Sequence, residues 1–490
     1  MVFKGEKYPE VLCNSQQPLL CTSSDKFLDH CGIVGMISDF EVAPVIYQAL
    51  RALQHRGQEA AGIATFKNGV SVSRGMGLVH DVFNEETLED LKGTLGIGHV
   101  RYSTTGTSVL QNAQPVVASS HAGDMALAHN GDIVNSDAIR GQLKDRGWAF
   151  ITTSDSEVIV RLLANEITAT QDITKALKNL MKRLVGSYSI TLLINDRIFA
   201  VRDPYGIKPL CIGKLGNCYI TASESVVFDA IGAEFIRDVT PGEVVELSKD
   251  GVKSTHASIP KHQAHCMFEW VYFSRADSVI DGRLVYNVRW NIGRSLAEDY
   301  PVEADLVVPV PDSGRTHALG YSHASGIPYT EGLIKNRYVW RTFIMPKQLH
   351  RKRDVRLKMN PIRRIVEGKR IVLVDDSIVR GNTMERIVSI LRDAGTEEVH
   401  VRIGCPPIVA PCYFGIDMKT RDQFIAHSRT VPEIAKTIGA DSLGYLSIDR
   451  LVECIGIVKN DLCLGCLTGA YPVAVPGEKH RFQKSLEGFS

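Results

Sequence analysis

The segment RIVLVDDSIVRGNT, residues 370–383, constrains the fold more tightly than any other part of this chain. Ile371 to Val374 are consecutive apolar residues, and Asp375 and Asp376 follow them. A strand apolar at every position suits a parallel sheet covered on both faces by helices. A short polar loop containing Gly381 then leads into TMERIVSILRDAG, which reads as a helix over Met384–Arg392. In open α/β sheets, ligands bind at the carboxyl ends of the strands. The N–H groups of such a loop, with the helix N-terminus behind them, form an anion site. Paired carboxylates at the same mouth can accept bonds from neighbouring ribose hydroxyls. Together these features make a grip for a ribose 5-phosphate. A bare Asp-Asp pair would read as turn and capping residues, so the argument rests on the whole order of strand, acid pair, loop, glycine and helix.

Other strands of the second half, such as ADLVVPVP (304–311), share this uniformly apolar texture and alternate with helices. The chain has 490 residues, too many for one ordinary core, and two domains are expected. From Cys31 to about Glu246 the texture differs. Strand-like runs (MALAHNGDIV, SYSITLLIND, RIFAVRD) are separated by Gly and Asn turns, with helical stretches at APVIYQALRALQHR and SEVIVRLLANEI. That pattern predicts an α+β sandwich with antiparallel sheets. The polar stretch SKDGVKSTHASIPKHQAH, 248–265, lacks periodicity and reads as the linker.

Net charge is +1, so no bulk field argues for nucleic acid or a membrane surface as partner. No apolar run approaches the roughly 20 residues that span a bilayer. The first 30 residues do not read as a secretory signal, because Asn, Gln and Pro break their apolar pieces. The chain has eleven cysteines, an odd number, and is large enough not to need disulfide staples. Both points favour a reducing compartment, and the cytoplasm is expected.

Cys31 opens the apolar run GIVGMI after this polar leader. By itself it reads as a core cysteine at a strand entrance. Alternatively, residues 1–30 are cut away and Cys31 becomes an N-terminal residue with a free amine beside its thiol. Four segments favour the second reading: LQHRGQEAAGIAT, GHVRYSTTG, LAHNGDIVN and TTSDSEV. Each is rich in small residues and holds one strong polar group: Arg56, Arg101, Asn130 or Asp155. A thiol amidase needs a nucleophile, a base, an oxyanion donor and a substrate anchor. Asn130 and the Gly131 N–H suit the oxyanion, Arg101 an α-carboxylate and Asp155 an α-ammonium. The Cys31 α-amine, with an ordinary pKa of about 8, suits the base.

In the second half, VPVPDSGRTHALGY (308–321) repeats the strand, polar loop and helix order, offering Asp312 and Ser313 to a pyrophosphate and its Mg²⁺. LIKNRYVWRTFIMP (333–346) sets Lys335, Arg337 and Arg341 on an apparent loop that could close over a leaving pyrophosphate. Taken singly, these charges read equally well as solvated surface.

The 370–383 segment matches the phosphoribosyl pyrophosphate fingerprint of type I phosphoribosyltransferases. With the Cys31 set, the chain from Cys31 to about Pro472 resembles the glutamine phosphoribosylpyrophosphate amidotransferases (amidophosphoribosyltransferases). The resemblance implies an N-terminal-nucleophile αββα sandwich over 31–262 after a removed leader, 1–30. A type I phosphoribosyltransferase domain of mostly parallel sheet over 263–472 and a tail, 473–490, would follow. It implies that glutamine, phosphoribosyl pyrophosphate and water give 5-phosphoribosylamine, glutamate and pyrophosphate, the first committed step of purine synthesis. In it Cys31 attacks the glutamine amide, and Arg101, Asn130, Gly131 and Asp155 bind glutamine and its oxyanion, with Arg56 and Gly57 lining the site. Ammonia passes to a second site where Asp375 and Asp376 hold the ribose and Ser377, Arg380, Gly381, Asn382 and Thr383 the 5-phosphate. There Ser313 acts with both aspartates at Mg²⁺, and Lys335 and Arg337 belong to a lid running to Phe343. A homodimer or homotetramer inhibited by purine nucleotides is implied as well. The contrasting reading is a regulatory protein that binds phosphoribosyl pyrophosphate without catalysis.

Cys463 and Cys466 form a C-x-x-C that alone would suit zinc or a redox pair. One subgroup of the family combines a leader with a [4Fe-4S] cluster, and its ligand positions match Cys266, Cys412, Cys463 and Cys466. Zinc on the same four thiols is the alternative. The chain departs from the family pattern in three places. Asn382 stands where Thr is common, Trp340 where the lid usually has glycine, and the leader is long.

Overall fold

In the strand Gly32–Ile37 every residue is buried, yet its two faces serve different cores. Val34 and Met36 pack with the helix Ala43–Ala52, whereas Ile33 and Ile37 join an inner layer with Ala126, Ala128, Leu193 and Ile198. This is why the segment is apolar at consecutive positions: a strand between two covered faces has no solvent side. The computed structural model describes residues 31–102, 108–120, 123–258, 262–336, 359–418 and 420–476.

Gly32–Ile37 lies inside a seven-stranded antiparallel sheet, in the order Glu234–Asp238, Cys211–Leu215, Cys218–Ala222, Gly32–Ile37, Leu95–Arg101, Ala60–Phe66 and Val70–Met76. A second antiparallel sheet runs Gly251–His256, Glu243–Ser248, Arg197–Arg202, Gly186–Ile194, Gly123–Ile133 and Val116–Ser120. Helices Asp155–Thr170 and Ile173–Arg183 cover its outer face through Ile159, Leu163, Leu177 and Leu180. The result is a helix–sheet–sheet–helix sandwich: the antiparallel α+β sandwich predicted from the alternating texture, in the layer order the family resemblance implies. The helix Ala43–Ala52 buries Ala43, Ile46, Ala49 and Leu50.

The second half is built on a four-stranded parallel sheet, Leu306–Pro309, Arg370–Asp375, Glu398–Ile403 and Ser442–Tyr445 in spatial order. Ile371 to Val374 are fully buried, as their composition requires. The helices Val285–Asp299, Arg315–Ser325 and Asn382–Asp393 contribute to the same core through Ile292, Ala318, Ile387 and Leu391.

Two sequence expectations need correction. The supposed linker at 248–265 begins as a strand: Gly251–His256 pairs with Glu243–Ser248 as an edge hairpin. Its residues are mostly half-buried or exposed, so no period-2 apolar signal marks it. The helix after the acid pair begins at Asn382 rather than Met384, so Asn382 and Thr383 are helical residues and only Gly381 precedes it in a left-handed conformation, φ +87°. Among the described residues no helix is long and apolar enough to cross a membrane.

The two halves are pinned together by buried charge. Arg202, from the second sheet, forms a bidentate pair with Asp281 (2.8 and 3.0 Å), and Arg56 reaches Glu269 (2.9 and 3.0 Å). The Ser187 hydroxyl donates to the Phe414 carbonyl (2.9 Å).

Candidate active site

The first sheet brings Cys31 and Arg101 to one end by strand pairing, since Gly32 is in register with Val100 and Ala60 with Arg101. Gly57 permits this close approach, because a Cβ there would stand 2.6 Å from the Val100 backbone. Cys31 is buried, and its thiol donates to the Tyr102 carbonyl (3.6 Å). Burial pushes the thiol up to about 11; the Tyr102 bond and the Arg101 charge oppose that shift, while Asp155 and Glu59 add to it. A thiol so placed is neutral near pH 7 and needs a base to become a nucleophile.

Arg101 is buried and paired with Glu59 (2.8 Å). Asp155 starts the helix Asp155–Thr170, accepts the Ile133 N–H (3.1 Å) and lies 3.8 Å from His129 Nδ1. Burial pushes its carboxyl up to about 6, against the backbone bonds it accepts. Both polar atoms of the Asn130 carboxamide are buried and lack a hydrogen-bond partner among the described residues. A buried amide left in that condition is costly unless a ligand completes it. Gly131, the next residue, has φ +152°, and a Cβ there would overlap the Ser187 carbonyl at 2.0 Å.

Arg56, expected in the lining of the substrate pocket, stands directly against Cys31. Its guanidinium is wholly buried, pairing with Glu224 (2.6 Å) and Glu269, and its Nε donates to the Cys31 carbonyl (3.1 Å). These two carboxylates hold its charge above even the usual arginine range despite burial. Arg56 touches the main chain of Cys31.

At the second site, Asp375 and Asp376 end their strand, both buried. Ser313 approaches from the neighbouring strand's loop, its hydroxyl 3.5 Å from Asp375 Oδ1. The Ser377 hydroxyl donates to Asp376. A shallow pocket opens between Asp375, Ser377, Gly381 and Thr383. The left-handed Gly381 turns the loop into the helix, and a side chain there would strike Ile425 (2.5 Å). Asn382 forms the first helical position. Arg380 points aside to Gln423 (2.6 Å). Lys335 reaches over to Asp312 (3.6 Å). Arg337, Arg341 and Trp340 lie outside the described residues.

Four cysteines gather where the start of the second half meets its end. Cys266 and Cys463 are partners in a short parallel pair. The N–H groups of Val409 and Ala410 donate to the Cys466 carbonyl (3.0 and 3.1 Å), bringing in the loop that carries Cys412. Burial first, and mutual repulsion second, raise the Cys463 and Cys466 thiols. Among the described residues no three His, Cys, Asp or Glu side chains converge closely enough to share a single metal ion.

Several residues of the glutamine-side constellation escaped the sequence reading: Glu59, which holds Arg101, and Glu224 and Glu269, which hold Arg56. Glu269 carried a usable signal. It is a lone acid in the apolar run MFEWVYF, and a charge buried in such a run needs a partner.

A cysteine beside an arginine, an acid and an unpartnered amide in a double-sheet sandwich, joined to a parallel sheet with an acid pair at a strand end, defines a glutamine amidotransferase fused to a phosphoribosyltransferase. Family models agree: a glutamine amidotransferase domain matches residues 99–230 and a phosphoribosyl transferase domain residues 285–405. The amidophosphoribosyltransferase of Methanothermobacter thermautotrophicus is 57% identical over 93% of this chain and 97% of its own length. Among solved structures, a glutamine phosphoribosylpyrophosphate amidotransferase from B. subtilis, complexed with ADP and GMP, superposes with a TM-score of 0.86 at 43% identity, covering 91% of this chain and 98% of that one. A structure described as the allosteric regulatory enzyme of purine biosynthesis gives a TM-score of 0.87 at 43% identity, covering 93% of this chain and 98% of that one. The chain belongs to the amidophosphoribosyltransferase family.

Proposed function

We propose that the chain converts glutamine, phosphoribosyl pyrophosphate and water into 5-phosphoribosylamine, glutamate and pyrophosphate, with 31–262 as the glutamine half and 263–472 as the phosphoribosyl half. The observation that carries this reading is the convergence of the Arg101, Asp155 and Glu59 charges on the buried Cys31 thiol. Removal of residues 1–30 frees the Cys31 amine, which accepts the thiol proton as sulfur attacks the glutamine side-chain carbonyl. Asn130 and the Gly131 N–H stabilise the oxyanion. The protonated amine then gives its proton to the departing ammonia, and water releases glutamate from the thioester. Arg101 holds the α-carboxylate and Asp155 the α-ammonium of glutamine. Arg56 orients the nucleophile's own backbone.

In the second half, Asp375 and Asp376 bind the ribose diol, and Ser377, Gly381, Asn382 and Thr383 bind the 5-phosphate. Ammonia attacks C1 and pyrophosphate leaves. The oxygen donors Ser313, Asp375 and Asp376 suit Mg²⁺, which keeps most of its other ligands as water and phosphate oxygens. Bound there, Mg²⁺ would neutralise pyrophosphate charge. Lys335 adds a cation on the same side.

Cys266, Cys412, Cys463 and Cys466 fit a [4Fe-4S] cluster, which takes one thiolate at each of its irons and so tolerates wider sulfur spacing than zinc. A single zinc would need all four sulfurs within about 4 Å of one another. The cluster's contribution here is structural, joining the two ends of the second half. The relative crystallised with ADP and GMP supports purine nucleotides as feedback ligands. The assembly is a homodimer or homotetramer in the cytoplasm.

Purified anaerobically and given glutamine, phosphoribosyl pyrophosphate and Mg²⁺, the protein should release pyrophosphate. No release would overturn the proposal. Intact mass should show that 1–30 are missing, and an active full-length chain would refute the role of the Cys31 amine.

A further inference from the structure

An N-terminal residue has no preceding peptide to hold its nitrogen. Its amine and its Cβ, which carries the thiol, therefore swing together about the Cα–C bond, and where both stand against the surrounding site depends on ψ, which the orientation of the carbonyl sets. The Cys31 carbonyl is held by Arg56 Nε (3.1 Å), so Arg56 must itself be held. One of its anchors, Glu224, belongs to the first half. The other is Glu269, which grips the guanidinium bidentately from the second half, Oε2 to Nη1 at 2.9 Å and Oε1 to Nη2 at 3.0 Å.

Glu269 is in turn fixed. It is buried, accepts the Ser274 hydroxyl (2.8 Å), and lies 3.9 Å from the buried Lys208 ammonium. It begins a π-helical turn, Glu269–Phe273, an uncommon conformation that tends to mark functional positions. Arg289 clamps that turn from the other side, donating to the Trp270 carbonyl (2.8 Å) and the Ser274 carbonyl (2.7 Å). Arg289 lies on the same helix as Ile292, which packs against Gly404, and the Gly404 N–H bonds the Asp375 carbonyl.

We propose that Glu269 is a positioning residue for the Cys31 nucleophile, supplied to the glutamine site by the phosphoribosyl half through Arg56. This rests on the reading of Cys31 as the nucleophile. Glu269 bonds Arg56 and Ser274 and lies near Lys208, none of them a group assigned to the glutamine α-carboxylate or α-ammonium, so its loss acts on turnover rather than on substrate affinity.

The test compares glutamine-driven with ammonia-driven 5-phosphoribosylamine synthesis in processed, full-length protein. Glu269→Gln keeps the side-chain shape and removes the charge. It should lower the glutamine-driven kcat by about 10- to 100-fold with KM for glutamine changed less than about threefold. Ammonia-driven synthesis should stay within about twofold of the parent. Ser274→Ala, which removes the hydroxyl that donates to Glu269 (2.8 Å) and lies 3.5 Å from Arg56 Nη1, should show the same pattern at about two- to fivefold, and it decides the matter if Glu269→Gln does not fold. Equal losses with both nitrogen donors, a change confined to KM, or an unchanged glutamine-driven kcat in both variants would overturn the proposal. Cys31→Ala tests the underlying reading separately: glutamine-driven synthesis should vanish while ammonia-driven synthesis survives.

Discussion

The Ser187 hydroxyl donates to the Phe414 carbonyl across 2.9 Å, and beside this bond the backbones of Gly131 and Gly415 face one another. A Cβ at 415 would stand 3.3 Å from the Gly131 backbone, at a residue whose φ is +99°. Gly415→Ala should therefore cost about 1–2 kcal/mol from the positive φ alone and press on the strand that carries Asn130. A lowered thermal midpoint with a selective loss of glutamine-driven activity is expected; a parental midpoint would contradict this view of the contact.

Asn130 is buried with neither side-chain polar atom satisfied among the described residues. Asn130→Ala should hardly change stability, since no internal bond is lost. Its effect should fall on catalysis, lowering glutamine-driven kcat by about 10²–10³-fold as the loss of one oxyanion donor does elsewhere. Steady-state kinetics with glutamine and with ammonia separate the two.

Burial raises the Asp155 carboxyl to about 6. On the proposed role of Asp155, the ionised form holds the glutamine ammonium group, so glutamine capture should be fullest well above pH 6 and should be lost as pH falls through it. The kcat/KM for glutamine should decline about tenfold per unit below that point. Ammonia-driven synthesis, expressed per free ammonia, should lack this limb. The same shift has a stability consequence of opposite sense. The unfolded chain gives up this proton near pH 4, so folding stability falls as pH rises from there to about 6.

On the proposed function, Asp375 holds the ribose in the site that both nitrogen donors share. Asp375→Asn should raise KM for phosphoribosyl pyrophosphate by about 10- to 100-fold, the worth of a charge-assisted bond, and equally with glutamine or ammonia. A defect confined to glutamine would refute its assignment to the ribose.

For the four thiols, anaerobic Cys466→Ser protein should lack the brown colour and iron of the parent and unfold at lower temperature. Zinc in place of iron in the parent, measured by elemental analysis, would overturn the cluster assignment.

Local chemistry made the architecture legible. Ile371–Val374 must be covered on both faces, Gly381 must turn a loop into a helix, and the Gly- and Asn-separated strands of the first half must pair in antiparallel fashion. The candidate groups Cys31, Arg101, Asn130, Asp155 and the Asp375–Asp376 pair could be read the same way, because short motifs of small residues around one polar group are visible along the chain. The edge strand Gly251–His256 could not, since a strand half open to solvent on both faces has the composition of a loop. Nor could the partner of Arg56 be chosen from its motif. A guanidinium can pair with any carboxylate, and Glu269 lies 213 residues away. The sequence by itself determined the two folds and the groups able to do chemistry in each. Only the tertiary structure decided that Glu269 of one half pairs with Arg56 of the other, which bonds the Cys31 carbonyl, because desolvating a charge at an interface forces it to find a partner wherever the packing has brought one.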